Sequence, residues 1–75
     1  MDTDLAVKCL EDYLGKIILI KFKDDKLIRG ILNGYDNHMN IVLNNAAEIQ
    51  GKSTIDLGTI IVRGDNIIFI SPSTS

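Results

Sequence analysis

Lys16-Ile17-Ile18-Leu19-Ile20-Lys21-Phe22-Lys23-Asp24-Asp25-Lys26-Leu27-Ile28-Arg29-Gly30-Ile31-Leu32-Asn33-Gly34-Tyr35 decides the fold. Its first seven residues are rich in β-branched side chains, four polar residues follow, and the strand pattern resumes from Leu27 to Tyr35. The spacing predicts two strands joined by a tight polar turn. Gly30 and Gly34 sit inside the second one. Glycine weakens a strand interior, so two of them four residues apart predict a sharp bend or a close backbone approach, as in a short sheet that curls on itself.

Working outward, the segment before this hairpin changes period. Leu5, Ala6, Cys9, Leu10, Tyr13 and Leu14 recur at helical spacing, Asp4 can cap the start and Gly15 can stop the end. An amphipathic helix over about 4–14 is expected, with Lys8, Glu11 and Asp12 on a solvated face and Cys9 as an inert thiol on the apolar one. After the hairpin, Met39 to Ala47 reads as a third strand and Glu48 to Thr54, with its Gln50-Gly51-Lys52-Ser53, as a loop. Ile55 to Val62 and Ile67 to Ser71 read as two more strands, joined by Arg63-Gly64-Asp65-Asn66. Pro72 and the Ser/Thr tail are expected to end the fold.

One helix followed by five short strands predicts a mainly β protein: a strongly bent, open five-stranded antiparallel barrel with the helix over one end. The 75 residues make one domain, with the barrel over about 16–71 and a short tail at 72–75. A core this small gives marginal stability and needs reinforcement. Cys9 is the only cysteine, which excludes an internal disulfide, and no paired Cys/His cluster suggests a structural zinc. Association between copies remains. Ile60-Ile61-Val62 and Ile67-Ile68-Phe69-Ile70 are apolar at consecutive positions, so both faces of each strand need cover. Neither charge nor proline interrupts these runs, and uncovered edge strands of this kind pair with another copy, closing into a ring or running on as a fibre.

Composition restricts the function. Eight basic against ten acidic residues give a net charge of −2 and an isoelectric point near 5.1. Non-specific binders of nucleic acid need a cationic surplus that displaces counterions, and this chain has none. Any nucleic-acid site must therefore be local and chemically specific. No apolar stretch reaches membrane-spanning length and no signal-peptide pattern is present, so a soluble cytoplasmic protein without membrane attachment is expected. Two turns hold the side chains suited to reading a base: Gly34-Tyr35-Asp36-Asn37-His38-Met39-Asn40 and Val62-Arg63-Gly64-Asp65-Asn66.

The run Ile28 to Leu43, with Asn33-Gly34-Tyr35-Asp36-Asn37-His38-Met39-Asn40 at its centre, resembles the first Sm motif of the Sm and Sm-like (LSm) RNA-binding proteins. Leu57-Gly58-Thr59-Ile60-Ile61-Val62-Arg63-Gly64-Asp65-Asn66-Ile67 resembles the second. The two motifs match in order and at a suitable separation, and with the leading helix the resemblance covers almost the whole chain. It implies the Sm fold, an SH3-like bent barrel. It also implies a ring made by pairing the fourth strand of one subunit with the fifth of the next, and single-stranded uridine-rich RNA bound around the pore. Seven-membered rings are the commonest archaeal and eukaryotic form. The Arg63-Gly64 pair is closer to archaeal homomeric rings than to the Tyr-Lys-His form of the bacterial branch, with a mixed ring left open. Departures are Asn45 where many relatives are acidic, a short connecting loop, and no basic or Arg-Gly-rich tail, which puts accessory RNA contacts in doubt.

The resemblance assigns uridine binding to His38, Asn40, Arg63, Gly64 and Asp65, supported by Asp36. The chemistry agrees. His38 and Arg63 offer planar groups to stack on a base, a contact worth roughly 1–3 kcal/mol. Asn40 can accept from uracil N3–H and donate to O4, provided its amide is held one way round. Asp36, acceptor-only when ionised, can hold one Nδ2 hydrogen and fix that orientation, and a backbone N–H near Gly64-Asp65 can serve O2. One Arg63 per subunit, repeated around a pore, is expected to focus positive potential there and give moderate salt dependence. Met39 is expected to fill core and Tyr35 to pack at a strand end. No cofactor or metal is expected. A nuclease reading would rest on Asp36 and His38, but a single histidine without a metal-ligand cluster or second acid supplies poor acid–base machinery, and no enzyme is expected. The expected role is RNA chaperone or ribonucleoprotein assembly platform. The acidic balance also allows an oligomeric protein-interaction scaffold with weak or no RNA affinity.

Overall fold

The computed structural model describes residues 10–73. Five strands, β1 (Ile17–Phe22), β2 (Leu27–Tyr35), β3 (Ile41–Gln50), β4 (Ser53–Val62) and β5 (Ile67–Pro72), form one antiparallel sheet in the order β4-β3-β2-β1-β5. A 3₁₀ turn over Gly64–Asn66 links β4 to β5. Because the last strand returns to pair with the first, Ile20 facing Ile70 and Ile18 facing Pro72, the sheet curls into an open barrel whose two edges are β4 and β5.

Alternation decides which face is inside. In β1, Ile18, Ile20 and Phe22 are buried, and in β2 Ile28 and Leu32 are buried with Gly30 between them. Ile41, Leu43, Ala46 and Val62 complete the core. The bend falls where the sequence places it: the β2–β3 register shifts between Arg29 and Ile31 and again between Leu32 and Gly34. At Gly30 a Cβ would lie 3.1 Å from the Leu43 Cβ and 3.3 Å from the Ala46 Cα, so a larger residue would push the paired strands apart by a few tenths of an ångström. At Gly34 such a Cβ would meet nothing within 4 Å, and its role is confined to the bulge. A further irregularity, with Asn45 at φ 51° and Gly58 at φ 72°, bends the β3–β4 hairpin.

Several expectations need correction. The segment read as a loop, Glu48 to Thr54, is a hairpin end: Glu48 faces Ile55, Ile49 faces Thr54, Gln50 faces Ser53, and only Gly51 and Lys52 turn. Its polar composition suggested a loop, but ladder hydrogen bonds to a neighbouring strand need no apolar side chains, and Gly51 at φ 60° makes the tight turn possible. The third strand starts at Ile41, not Met39, because Met39 sits in the left-handed region at φ 65° and belongs to the preceding turn. Pro72, expected just after the last strand, is instead the final residue of β5, as an edge position tolerates its missing N–H.

Of the helix expected over 4–14, residues 4–9, including Cys9, lie outside the described residues. Leu10 and Glu11 are helical and residues 12–15 form a turn, so the helix expected to run to Leu14 ends at Glu11. Leu10 is nonetheless buried in the core, and Tyr13 packs against it. The two apolar edge runs divide as a half-covered strand must. Ile60, Ile67 and Ile70 lean on the core, whereas Ile61 is 72 % exposed, Ile68 56 % and Phe69 45 %.

Candidate nucleic-acid interface

The turn between β2 and β3 is organised by one carboxylate. Asp36 Oδ1 accepts the backbone N–H of His38 at 2.8 Å and of Asn40 at 3.0 Å, while Oδ2 accepts Asn40 Nδ2 at 3.0 Å. Backbone bonds from Asp36 N–H to the Asn40 carbonyl and from Met39 N–H to the Asp36 carbonyl close the loop. These donors hold the Asp36 carboxyl below its usual range; the Asn40 backbone N–H is the largest cause, followed by the Asn40 amide, with the His38 N–H adding to them and partial desolvation opposing.

The second turn locks onto the first. Gly64 N–H donates to Asn40 Oδ1 at 3.2 Å across 24 residues of sequence. A carboxylate on the Nδ2 side and an N–H on the Oδ1 side leave the amide one orientation, since a flip would set acceptor against acceptor and donor against donor. One Nδ2 hydrogen and one Oδ1 lone pair are left over for a ligand. A Cβ on Gly64 would lie 2.5 Å from the His38 carbonyl oxygen, 2.6 Å from the Met39 Cβ and 2.7 Å from the Met39 carbonyl oxygen. Glycine is required here by the close approach of the protein's own turns. Of the backbone N–H groups near Gly64-Asp65 expected to serve a base oxygen, that of Gly64 is engaged with Asn40. Met39, half-buried on the core, anchors the base of the arrangement, and Tyr35 packs beside it.

Arg63 does not stand alone either. Its Nη2 donates to Asp65 Oδ2 at 3.3 Å, with the two side chains 75 % and 64 % exposed. Asp36 lines the same cleft, so within one protomer the two turns hold one guanidinium and two carboxylates. Lys23 is drawn toward the same turn, its backbone N–H bonded to the Asn66 carbonyl at 2.9 Å.

Asp36, Asn40 and Arg63 share an open cleft of about 620 Å³ with Tyr35, Val42 and Ile61. His38 is exposed on the turn and does not line this cleft. Tyr35, Val42 and Ile61 were missed as cleft walls by sequence reasoning. Their signal was available: Ile61 lies two residues before Arg63 on β4 and faces Val42 on β3. Asp65 borders the site through Arg63. No group of three or more His, Cys, Asp or Glu capable of holding a metal ion occurs among the described residues, and no helix among them is long and apolar enough to cross a membrane.

Comparison with known proteins adds independent findings. The family model of the LSM domain matches residues 8–72. The chain is 48 % identical to an snRNP Sm-like protein of Thermoplasma volcanium over 65 residues, 85 % of this chain and 78 % of that one. Among solved structures it is similar to a heptameric archaeal Sm protein, with a TM-score of 0.85 at 43 % identity, covering 89 % of this chain and 98 % of the other. It is also similar to the Sm protein of Pyrococcus abyssii in complex with a uridine heptamer, with a TM-score of 0.83 at 38 % identity, covering 89 % and 96 %.

Proposed function

The chain belongs to the LSM-domain family, and from that premise we propose that its copies close into a homo-oligomeric ring that binds single-stranded uridine-rich RNA at the pore. Seven members are proposed, as in the heptameric archaeal relative. β4 and β5 are opposite edges of one sheet, each with exposed isoleucine or phenylalanine, so β4 of one subunit can take β5 of the next and repeat around an axis. Ile61, Ile68 and Phe69 lose their exposure in such a pairing, which stabilises each interface by several kcal/mol at roughly 1.5–3 kcal/mol per fully buried side chain.

The observation that carries the RNA reading is the Asn40 amide, held one way round between Asp36 and Gly64. Its remaining acceptor and donor match uracil N3–H and O4. His38 and Arg63 supply flat surfaces for stacking, Asp36 supports Asn40, and Gly64 and Asp65 complete the turn that holds Arg63 in place. Uridine binding by the Pyrococcus abyssii relative supports the same assignment. Each single-base contact is weak, but after the first nucleotide binds the rest arrive at high effective concentration, so affinity should climb with uridine number. The proposed role is a cytoplasmic RNA chaperone or ribonucleoprotein assembly platform, without catalysis.

Fluorescence polarisation with labelled oligouridine, oligocytidine and oligoadenosine tests this, with native mass spectrometry to count subunits. The wild-type ring should prefer oligouridine, and Asn40→Ala should keep the ring while losing the preference. Equal binding of all three by the wild type would refute the assignment. The acidic balance favours a second reading, a ring that serves mainly as a protein-interaction scaffold, and an intact ring that ignores oligouridine would select it.

A further inference from the structure

We infer that Asp65 is a specificity-determining residue: its pairing with Arg63 cancels the guanidinium's attraction for phosphate and reserves its flat face for bases, so the site rejects polyanions that lack the right base. The inference rests on the RNA-binding reading above. Its basis is the charge count in the two turns. Arg63 is the one cation among Asp36, Asn40, Arg63, Gly64 and Asp65, and it is matched by two carboxylates. Asp36 remains ionised at neutral pH, since its donors hold its carboxyl low. Within the two turns of one protomer the charge is therefore net negative.

A polyanion gains little from such a site. Phosphate binding draws its free energy from counterions released by uncompensated cations, and here the cation already has an anionic neighbour. The pair contributes little to folding, because an exposed ion pair with one contact at 3.3 Å is worth almost nothing in stability. Its effect lies in what it removes. A guanidinium bonded to a carboxylate through Nη2 keeps its π face, which stacks on any planar base, while one of the donors that would grip a phosphate oxygen is engaged and the positive charge is offset. Base identity is then read by the Asn40 amide alone. Lys23, held beside the turn by its bond to the Asn66 carbonyl, at most restores neutrality. Asp65 thus separates two uses of one arginine, and a single substitution should convert a base reader into a general binder of single strands.

The experiment compares wild type with Asp65→Asn, and with Asp65→Ser as a second neutral variant, using labelled heptauridine and heptaadenosine over a series of salt concentrations. Native mass spectrometry confirms equal ring size. The side chain is exposed, so the fold should survive either change. Wild type should show a shallow salt slope and a wide uridine-to-adenosine ratio. The variants should bind both oligomers more tightly at low salt, with the slope steepening by about 0.7 for each arginine freed to contact phosphate. That is roughly a 2.6-fold greater loss of affinity per freed arginine between about 50 and 200 mM salt. The uridine-to-adenosine ratio should narrow. An unchanged slope and ratio would overturn the inference, as would loss of heptauridine binding by an intact variant ring, which would make Asp65 a direct uridine ligand. Failure of wild type to bind heptauridine would instead remove the underlying RNA reading.

Discussion

Replacing Gly64 with alanine should damage stability and base selectivity together. The added methyl would sit 2.5 and 2.7 Å from two backbone carbonyl oxygens and 2.6 Å from the Met39 Cβ. Ordinary contact begins near 3.4 Å, so each approach is short by 0.7 Å or more. None of the three atoms is the free end of a flexible side chain, so no rotamer change relieves the clash. The turns must part by close to 1 Å, which carries the Gly64 N–H···Oδ1 contact from 3.2 Å beyond hydrogen-bond range. Strain of this type costs about 1–3 kcal/mol. The lost bond, worth about 0.5–1.5 kcal/mol, corresponds to roughly two- to tenfold weaker uridine binding per occupied site. Urea unfolding at fixed protomer concentration reads the first effect, and polarisation with oligouridine against oligocytidine reads the second. Gly34→Ala is the control, since a methyl there meets nothing within 4 Å and should change little. If Gly64→Ala matched Gly34→Ala in both assays, the account of two turns locked by a glycine would be wrong.

Two further outcomes follow from named groups. The Asp36 carboxyl is depressed in the folded state, so the support it gives to the turn is fully present above the ordinary aspartate pKa and is lost as pH falls through the lower folded value. Uridine selectivity should hold unchanged from neutral pH down to about 5, and a carbon-detected titration placing the Asp36 midpoint above the ordinary aspartate value would contradict the hydrogen-bond pattern. Ile61→Asp would place a carboxylate on the exposed side of the β4 edge. If that edge receives a neighbour, burial of the charge costs several kcal/mol and native mass spectrometry should find smaller species; an undisturbed ring would exclude Ile61 from the subunit contact.

What was legible in the sequence was whatever depends on neighbours in the chain. Period-two alternation marked the first hairpin, Gly30 announced the close approach of β2 to β3, and the uninterrupted apolar runs at 60–62 and 67–70 identified the edges now seen at β4 and β5. Asp36 and Asn40, four residues apart in one turn, were close enough for their bond to be anticipated from side-chain chemistry. The tertiary structure decided whatever depends on distant segments. Gly51 at φ 60° lets two polar strands pair where composition alone reads as loop, because ladder bonds are made by backbone and leave no mark on residue type. Gly64 is glycine because another turn lies against it, and its N–H closes on Asn40 from 24 residues away. Arg63 met Asp65 instead of standing as a lone cation, a rotamer choice that sequence cannot express.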